Sequence, residues 1–119
     1  MAMRHTQEID GDAVTMSLSG QLMGGPDSLG FRNALLAAIE RGSRQITLDM
    51  AEVTWVNSTG LGFLISAHLA AREKGCRLRL SRVTKRIASI LAITRLNSVF
   101  DVVGSEREGR EGLAASSSR

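Results

Sequence analysis

Apolar and hydroxyl-bearing residues alternate along Ala13-Val14-Thr15-Met16-Ser17-Leu18-Ser19, the period of a strand with one buried and one wet face, and the run ends at Gly20. Residues 4–9 are less clearly patterned, but Gly11-Asp12 separates the two segments, so together they predict an opening hairpin. Met23-Gly24-Gly25-Pro26-Asp27 is a concentrated breaker. The following stretch, 28–41, places Phe31, Leu35, Ala38 and Ile39 on one helical face, and Gly42 stands where a left-handed C-cap belongs. Residues 45–50 alternate again, and Val53, Trp55 and Val56 extend a central strand toward the polar turn Asn57-Ser58-Thr59-Gly60.

After that turn, Leu61, Leu64, Ile65, His68 and Leu69 recur at spacings of three and four, which predicts a second helix to about Lys74, stopped by Gly75. Cys76, Leu78 and Leu80 alternate with Arg77, Arg79 and Ser81 as a further strand. Thr84 is a suitable N-cap for a third helix with Ile87, Ile90 and Leu91 as its stripe, and Leu96, Val99, Phe100, Val102 and Val103 form a last apolar segment. Strands and helices that alternate after a hairpin predict an α/β domain over 1–103. The expected architecture is a mixed sheet of four to five strands, with about four helices packed mainly on one side. The charged, glycine-rich stretch 104–119 is expected to be a frayed helix or partly disordered tail.

Composition narrows the chemistry. With 119 residues, 43% of them hydrophobic, the chain can bury a core without metal or disulfide staples. Its single cysteine, Cys76, cannot pair within the chain, so a reduced, cytoplasmic protein is expected, with Cys76 as a buried small hydrophobe. The start lacks the apolar run of a signal peptide and no stretch is long enough to cross a bilayer, so no membrane insertion is expected. Aromatics make up only 3%, which argues against base-stacking readers of nucleic acid. No cofactor or metal is expected either. Gly60-Leu61-Gly62 lacks the later glycine of a dinucleotide fingerprint, there is no Walker loop, and Ser58 does not sit in a Gly-x-Ser-x-Gly elbow. Of the two histidines, His5 lies near the terminus and His68 is expected to be structural or at the surface; the scattered methionines are expected to fill the core, and Trp55 to be packed, an exposed tryptophan there being an interface anchor.

The net charge of +3 conceals a division. Residues 1–60 carry four basic and seven acidic groups, a net of −3, whereas 61–119 carry eleven against five, a net of +6. Between Arg72 and Arg95 eight basic residues face Glu73 alone, a run that reads as a solvated positive face or as a surface that steers an acidic partner.

The strand ending in Leu48-Asp49-Met50, the bridge to Trp55-Val56, the turn Asn57-Ser58-Thr59-Gly60-Leu61-Gly62 and the helix after it resemble the STAS domain, the family of anti-sigma factor antagonists. A second block fits in order and spacing: Arg77-Leu78-Arg79-Leu80-Ser81-Arg82-Val83, then Leu91-Ala92-Ile93-Thr94-Arg95-Leu96 and Val99-Phe100. The resemblance implies a non-enzymatic signalling protein of monomeric or weakly dimeric state. Its unphosphorylated form binds an anti-sigma factor that is also a serine kinase; phosphorylation of the turn releases it, and a serine phosphatase resets it. It assigns the phosphoacceptor to Ser58, with Thr59 as runner-up. Partner contacts are expected from Asn57, Ser58, Thr59, Gly60, Ser66, Gly24 and Gly25. Relatives usually carry aspartate where this chain has Asn57, and commonly glycine where it has Arg95. Two other classes stand beside this reading. One is a STAS subunit of a membrane transport complex such as a lipid-transport ATPase, with the turn as an unmodified contact; the other is an enzyme or nucleotide-binding domain.

Overall fold

A computed structural model describes residues 3–103. The antiparallel hairpin β1 (Met3–Asp10) and β2 (Ala13–Leu22) opens the fold, followed by α1 (Pro26–Glu40), β3 (Gln45–Val56), α2 (Ser58–Glu73), β4 (Arg77–Ser81), α3 (Lys85–Ile93), a 3-10 turn (Leu96–Ser98) and β5 (Asp101–Val103). The five strands lie in the order β1-β2-β3-β4-β5, and every pairing after the hairpin is parallel. Each parallel connection passes through a helix.

The alternation in the sequence becomes the two faces of this sheet. Val14, Met16 and Leu18 of β2, Ile46, Leu48 and Met50 of β3, and Leu78 and Leu80 of β4 share a single buried cluster with Phe31, Leu35, Leu64, Ala67, Ile87 and Leu91 from the three helices. The helices therefore cover one face. The opposite face carries Thr15, Ser17, Thr47, Asp49, Arg79 and Ser81 in facing register and remains open to water. Gly42 and Gly75 adopt the left-handed conformation after α1 and α2, and the Thr84 side chain accepts the Ile87 N–H at 3.3 Å.

Several expectations need correction. Among the described residues there are three α-helices and a 3-10 turn; the expected fourth helix and tail fall in 104–119, outside the described residues. β2 runs past Gly20 to Leu22, and β3 carries two extra residues relative to β2, between Asp49 and Glu52 and between Val53 and Trp55. These bulges shift the alternation, so that Val53 and Val56 are buried while Trp55 is 40% exposed, not packed as expected. The core of α2 is Gly60, Leu64, Ala67 and Ala71; small residues let the helix lie close to the sheet, and Leu69 of the expected stripe turns outward. Met23 is likewise exposed, whereas Met3, Met16 and Met50 fill the core. His5 is held in β1, edge-on to Phe31, and His68 packs edge-on to Phe100. Cys76 is buried, and that burial raises its thiol pKa above the usual value.

Four residues of the basic run meet carboxylates. Arg77 and Arg79 approach Asp101 at 3.1 and 3.5 Å, Lys74 approaches Glu40 at 3.5 Å, and Arg82 makes a two-pronged bond to Asp49. Acidic groups distant in sequence thus answer much of the positive charge.

Candidate functional site

The turn after β3 is built on Asn57. Its extended backbone (φ −102°, ψ −176°) makes it the N-cap of α2, and its Oδ1 accepts the Gly60 N–H at 2.9 Å. The same amide donates through Nδ2 to the Met23 carbonyl at 3.3 Å, and the Asn57 N–H bonds to the Leu22 carbonyl at 3.3 Å. Leu22 and Met23 lead from β2 into the loop before α1, so one side chain joins the starts of two helices.

Because Asn57 supplies the cap, the hydroxyls that follow are not needed for it. Ser58 is the first helical residue and is exposed; among the described residues no hydrogen bond engages its Oγ. Thr59 is also exposed, and its methyl group lies against Gly24: a Cβ on Gly24 would collide with Thr59 Cγ2. Gly24 holds φ +84°, and its N–H bonds to the Ser28 Oγ at 3.3 Å, where Ser28 is buried at the start of α1. The first turn of α2 contains no acidic residue, and the positive end of the helix favours negative charge there.

Of the expected site residues, Asn57, Ser58, Thr59, Gly24 and Gly25 lie together at the turn, while Ser66 and Gly60 stand apart from that surface. Asn57, Ser58, Thr59 and Gly24 form a continuous surface, Gly25 is the exposed N-cap of α1, and Ser66 lies exposed two turns along α2. Gly60 is buried against the Leu22 carbonyl, so it shapes the turn from beneath. By helical arithmetic Ser58, Gly62, Ile65 and Leu69 share the outward side of α2, giving the hydroxyl an apolar ridge behind it. Sequence reasoning favoured the interior for Met23, Trp55 and Leu69, which are 41%, 40% and 54% exposed. Pattern alone could not find them: Trp55 and Leu69 continue apolar runs that read as core, and Met23 reads as a core-filling methionine by residue type.

Concave space lies elsewhere. An open cleft of about 390 Å³ is lined by Ala51, Glu52, Val53, Thr54, Thr84 and Arg86, none of them in the turn. A slot of about 30 Å³ between α1 and α2 is lined by Phe31, Arg32, Leu35, Leu36, Phe63, Ser66 and Ala67, with the Arg32 guanidinium 5.8 Å from the Phe63 ring centre. Among the described residues no three His, Cys, Asp or Glu side chains gather as a metal site, and no helix is long and apolar enough to cross a membrane. The turn offers exposed polar side chains.

A family model described as "Mlab, STAS domain" matches residues 5–104. The chain belongs to the STAS domain family. Among curated relatives of this STAS protein is the anti-sigma-B factor antagonist of Bacillus subtilis (strain 168), 24% identical over 78 residues, which is 66% of this chain and 71% of the relative. An anti-sigma factor antagonist from Mycobacterium paratuberculosis has the same fold at a TM-score of 0.74, with 14% identity and 88% of each chain covered. The Bacillus protein SpoIIAA, solved in unphosphorylated and phosphorylated forms, superposes at 0.66 in both. Its identities are 15% and 16%, the alignments covering 88% and 87% of this chain and 92% and 94% of SpoIIAA. The five-stranded mixed sheet with helices on one face is thus the STAS fold.

Proposed function

We propose that this STAS protein is an anti-sigma factor antagonist whose Ser58 is the switch. Unphosphorylated, it binds an anti-sigma factor that is also a serine kinase; phosphorylated on Ser58 it is released, and a serine phosphatase restores it. The observation that carries this reading is the division of labour in the turn. Asn57 caps α2, and Ser58 stands exposed on the outward side of that helix with its Oγ unbonded among the described residues.

A phosphate on Ser58 brings roughly two negative charges and a tightly hydrated group. At the start of α2 it meets the favourable end of the helix dipole, so the fold tolerates it. The partner does not: a surface that had closed over a small hydroxyl and the ridge behind it must now desolvate a dianion. A penalty of about 3 kcal/mol corresponds to more than a hundredfold in affinity. The protein acts by binding, in the cytoplasm, without a cofactor, without direct contact to nucleic acid and without membrane insertion, as a monomer or weak dimer. The relative from B. subtilis and the SpoIIAA structures support this role through their names and forms.

The test is incubation of the purified protein with serine kinases of its own genome and labelled ATP. Label is expected on wild type and Thr59→Ala and none on Ser58→Ala. Copurification with a transport ATPase, with no kinase labelling Ser58, would overturn the reading in favour of a subunit of a transport complex.

A further inference from the structure

We propose that Asn57 is a positioning residue that locks the Met23–Gly25 loop onto the start of α2, so that the loop and Ser58 meet a partner as one preformed surface. The inference rests on the docking role proposed above for the Ser58 turn.

The amide of Asn57 uses its two ends on two different elements. Oδ1 accepts the Gly60 N–H at 2.9 Å and Nδ2 donates to the Met23 carbonyl at 3.3 Å. The orientation follows from its partners, one an N–H and the other a C=O: the flipped amide would oppose donor to donor and acceptor to acceptor. The loop needs such a tie. Gly24 and Gly25 are adjacent glycines with the widest conformational freedom of any residues, and Met23 is 41% exposed. The loop is anchored on its far side by the Gly24 N–H bonded to Ser28 Oγ, and on its near side by Asn57 and by the contact of Gly24 with Thr59.

An aspartate at this position would keep the cap, since a carboxylate oxygen accepts the Gly60 N–H equally well. Its second oxygen would then confront the Met23 carbonyl, two acceptors with no proton between them. The side chain found here therefore does something the acid cannot. Pre-ordering of the loop lowers the entropy lost when a partner binds, which improves affinity without adding a contact.

The test compares wild type with Asn57→Asp and Asn57→Ser by nitrogen-15 relaxation at Met23 and Gly24, since Gly25 is held independently by the first bonds of α1. Order parameters near 0.85 are expected in wild type at pH 7 and below about 0.6 in both variants, while Leu64 and Ala67 in α2 stay rigid in all three. In Asn57→Asp alone the loop should stiffen again as the pH falls below about 4, when the carboxyl gains a proton to donate to Met23. A purely structural role for the side chain would show no such recovery. With the kinase identified by labelling, Asn57→Asp at pH 7 is expected to bind 5- to 20-fold more weakly, within the affinity cost of ordering a few residues. A loop equally rigid in Asn57→Asp at pH 7, or a loosened loop with unchanged kinase affinity, overturns the proposal. If no kinase labels Ser58 the docking role itself fails, an outcome separate from the relaxation result on the free protein.

Discussion

The Leu22 carbonyl oxygen occupies the place where a side chain on Gly60 would begin: a Cβ on residue 60 would overlap that oxygen far inside any real contact. The same oxygen accepts the Asn57 N–H, so the backbone cannot withdraw without giving up a bond of the turn. Gly60→Ala is expected to destabilise the protein by about 2 kcal/mol or more, the cost of forcing atoms into a filled space. Gly62, half a turn on, has nothing within 4 Å of its hypothetical Cβ. Gly62→Ala should stabilise α2 by about 0.5–1 kcal/mol through helix propensity. Urea unfolding of the two variants checks both signs.

Arg95 closes α3 in the left-handed conformation, with φ 64° and ψ 19°. A side chain there costs about 1–2 kcal/mol relative to a right-handed residue, a cost that glycine largely avoids. Part of the gain is offset by the freer unfolded chain, so Arg95→Gly should raise stability by about 0.5–1 kcal/mol. The Ser98 Oγ bond to the Arg95 carbonyl at 3.1 Å is unaffected by the exchange. Loss of stability in this variant would show that the arginine side chain holds the turn.

Asp49 couples the open sheet face to the start of α3. Burial alone would raise its pKa, but the Arg82 guanidinium and the Ala51 N–H together outweigh it and hold the carboxyl below its usual 3.8. A lowered folded value means that the carboxylate adds stability above the unfolded pKa and loses it as the pH falls through the folded one. Wild type should therefore lose stability below about pH 4, and Asp49→Asn should lose less over that range while being weaker at pH 7. Thermal melts from pH 7 to 2 measure this; parallel curves would count against the pair.

Lys85 and Arg86 are exposed at the start of α3 with no ion pair among the described residues, unlike the arginines of β4. Steering of an acidic partner by positive charge would draw on these two neighbouring cations. Lys85→Glu with Arg86→Glu is expected to slow association with the kinase several-fold at low salt and leave the dissociation rate nearly unchanged. An association rate that ignores both the substitution and the salt would exclude steering by this end of the molecule.

Much of the fold was legible because its signals are local. The alternation of 13–19 and 45–50, the Thr84 cap, and Gly42 and Gly75 after their helices depend on neighbours a few residues away. What escaped notice depends on pairing. The bulges of β3 exist only against β2, and they turn Trp55 outward although its surroundings in sequence are apolar. On α2 two apolar stripes satisfy the helical period. The sheet selects the one with small residues, Gly60, Ala67 and Ala71, and leaves Leu69 facing water. The partners of the basic run, Asp49 and Asp101, stand more than twenty residues from the arginines they meet. At the turn, chemistry and cap preferences pointed to Asn57 through Gly60, but sequence could not say which of these residues caps and which is free.

The most direct test of the switch is the affinity of the kinase partner for two forms of this protein, unmodified and carrying phosphoserine incorporated at position 58, measured by titration calorimetry. Tight binding of the first and at least a hundredfold weaker binding of the second are expected, with both forms equally folded. Equal affinities would contradict it.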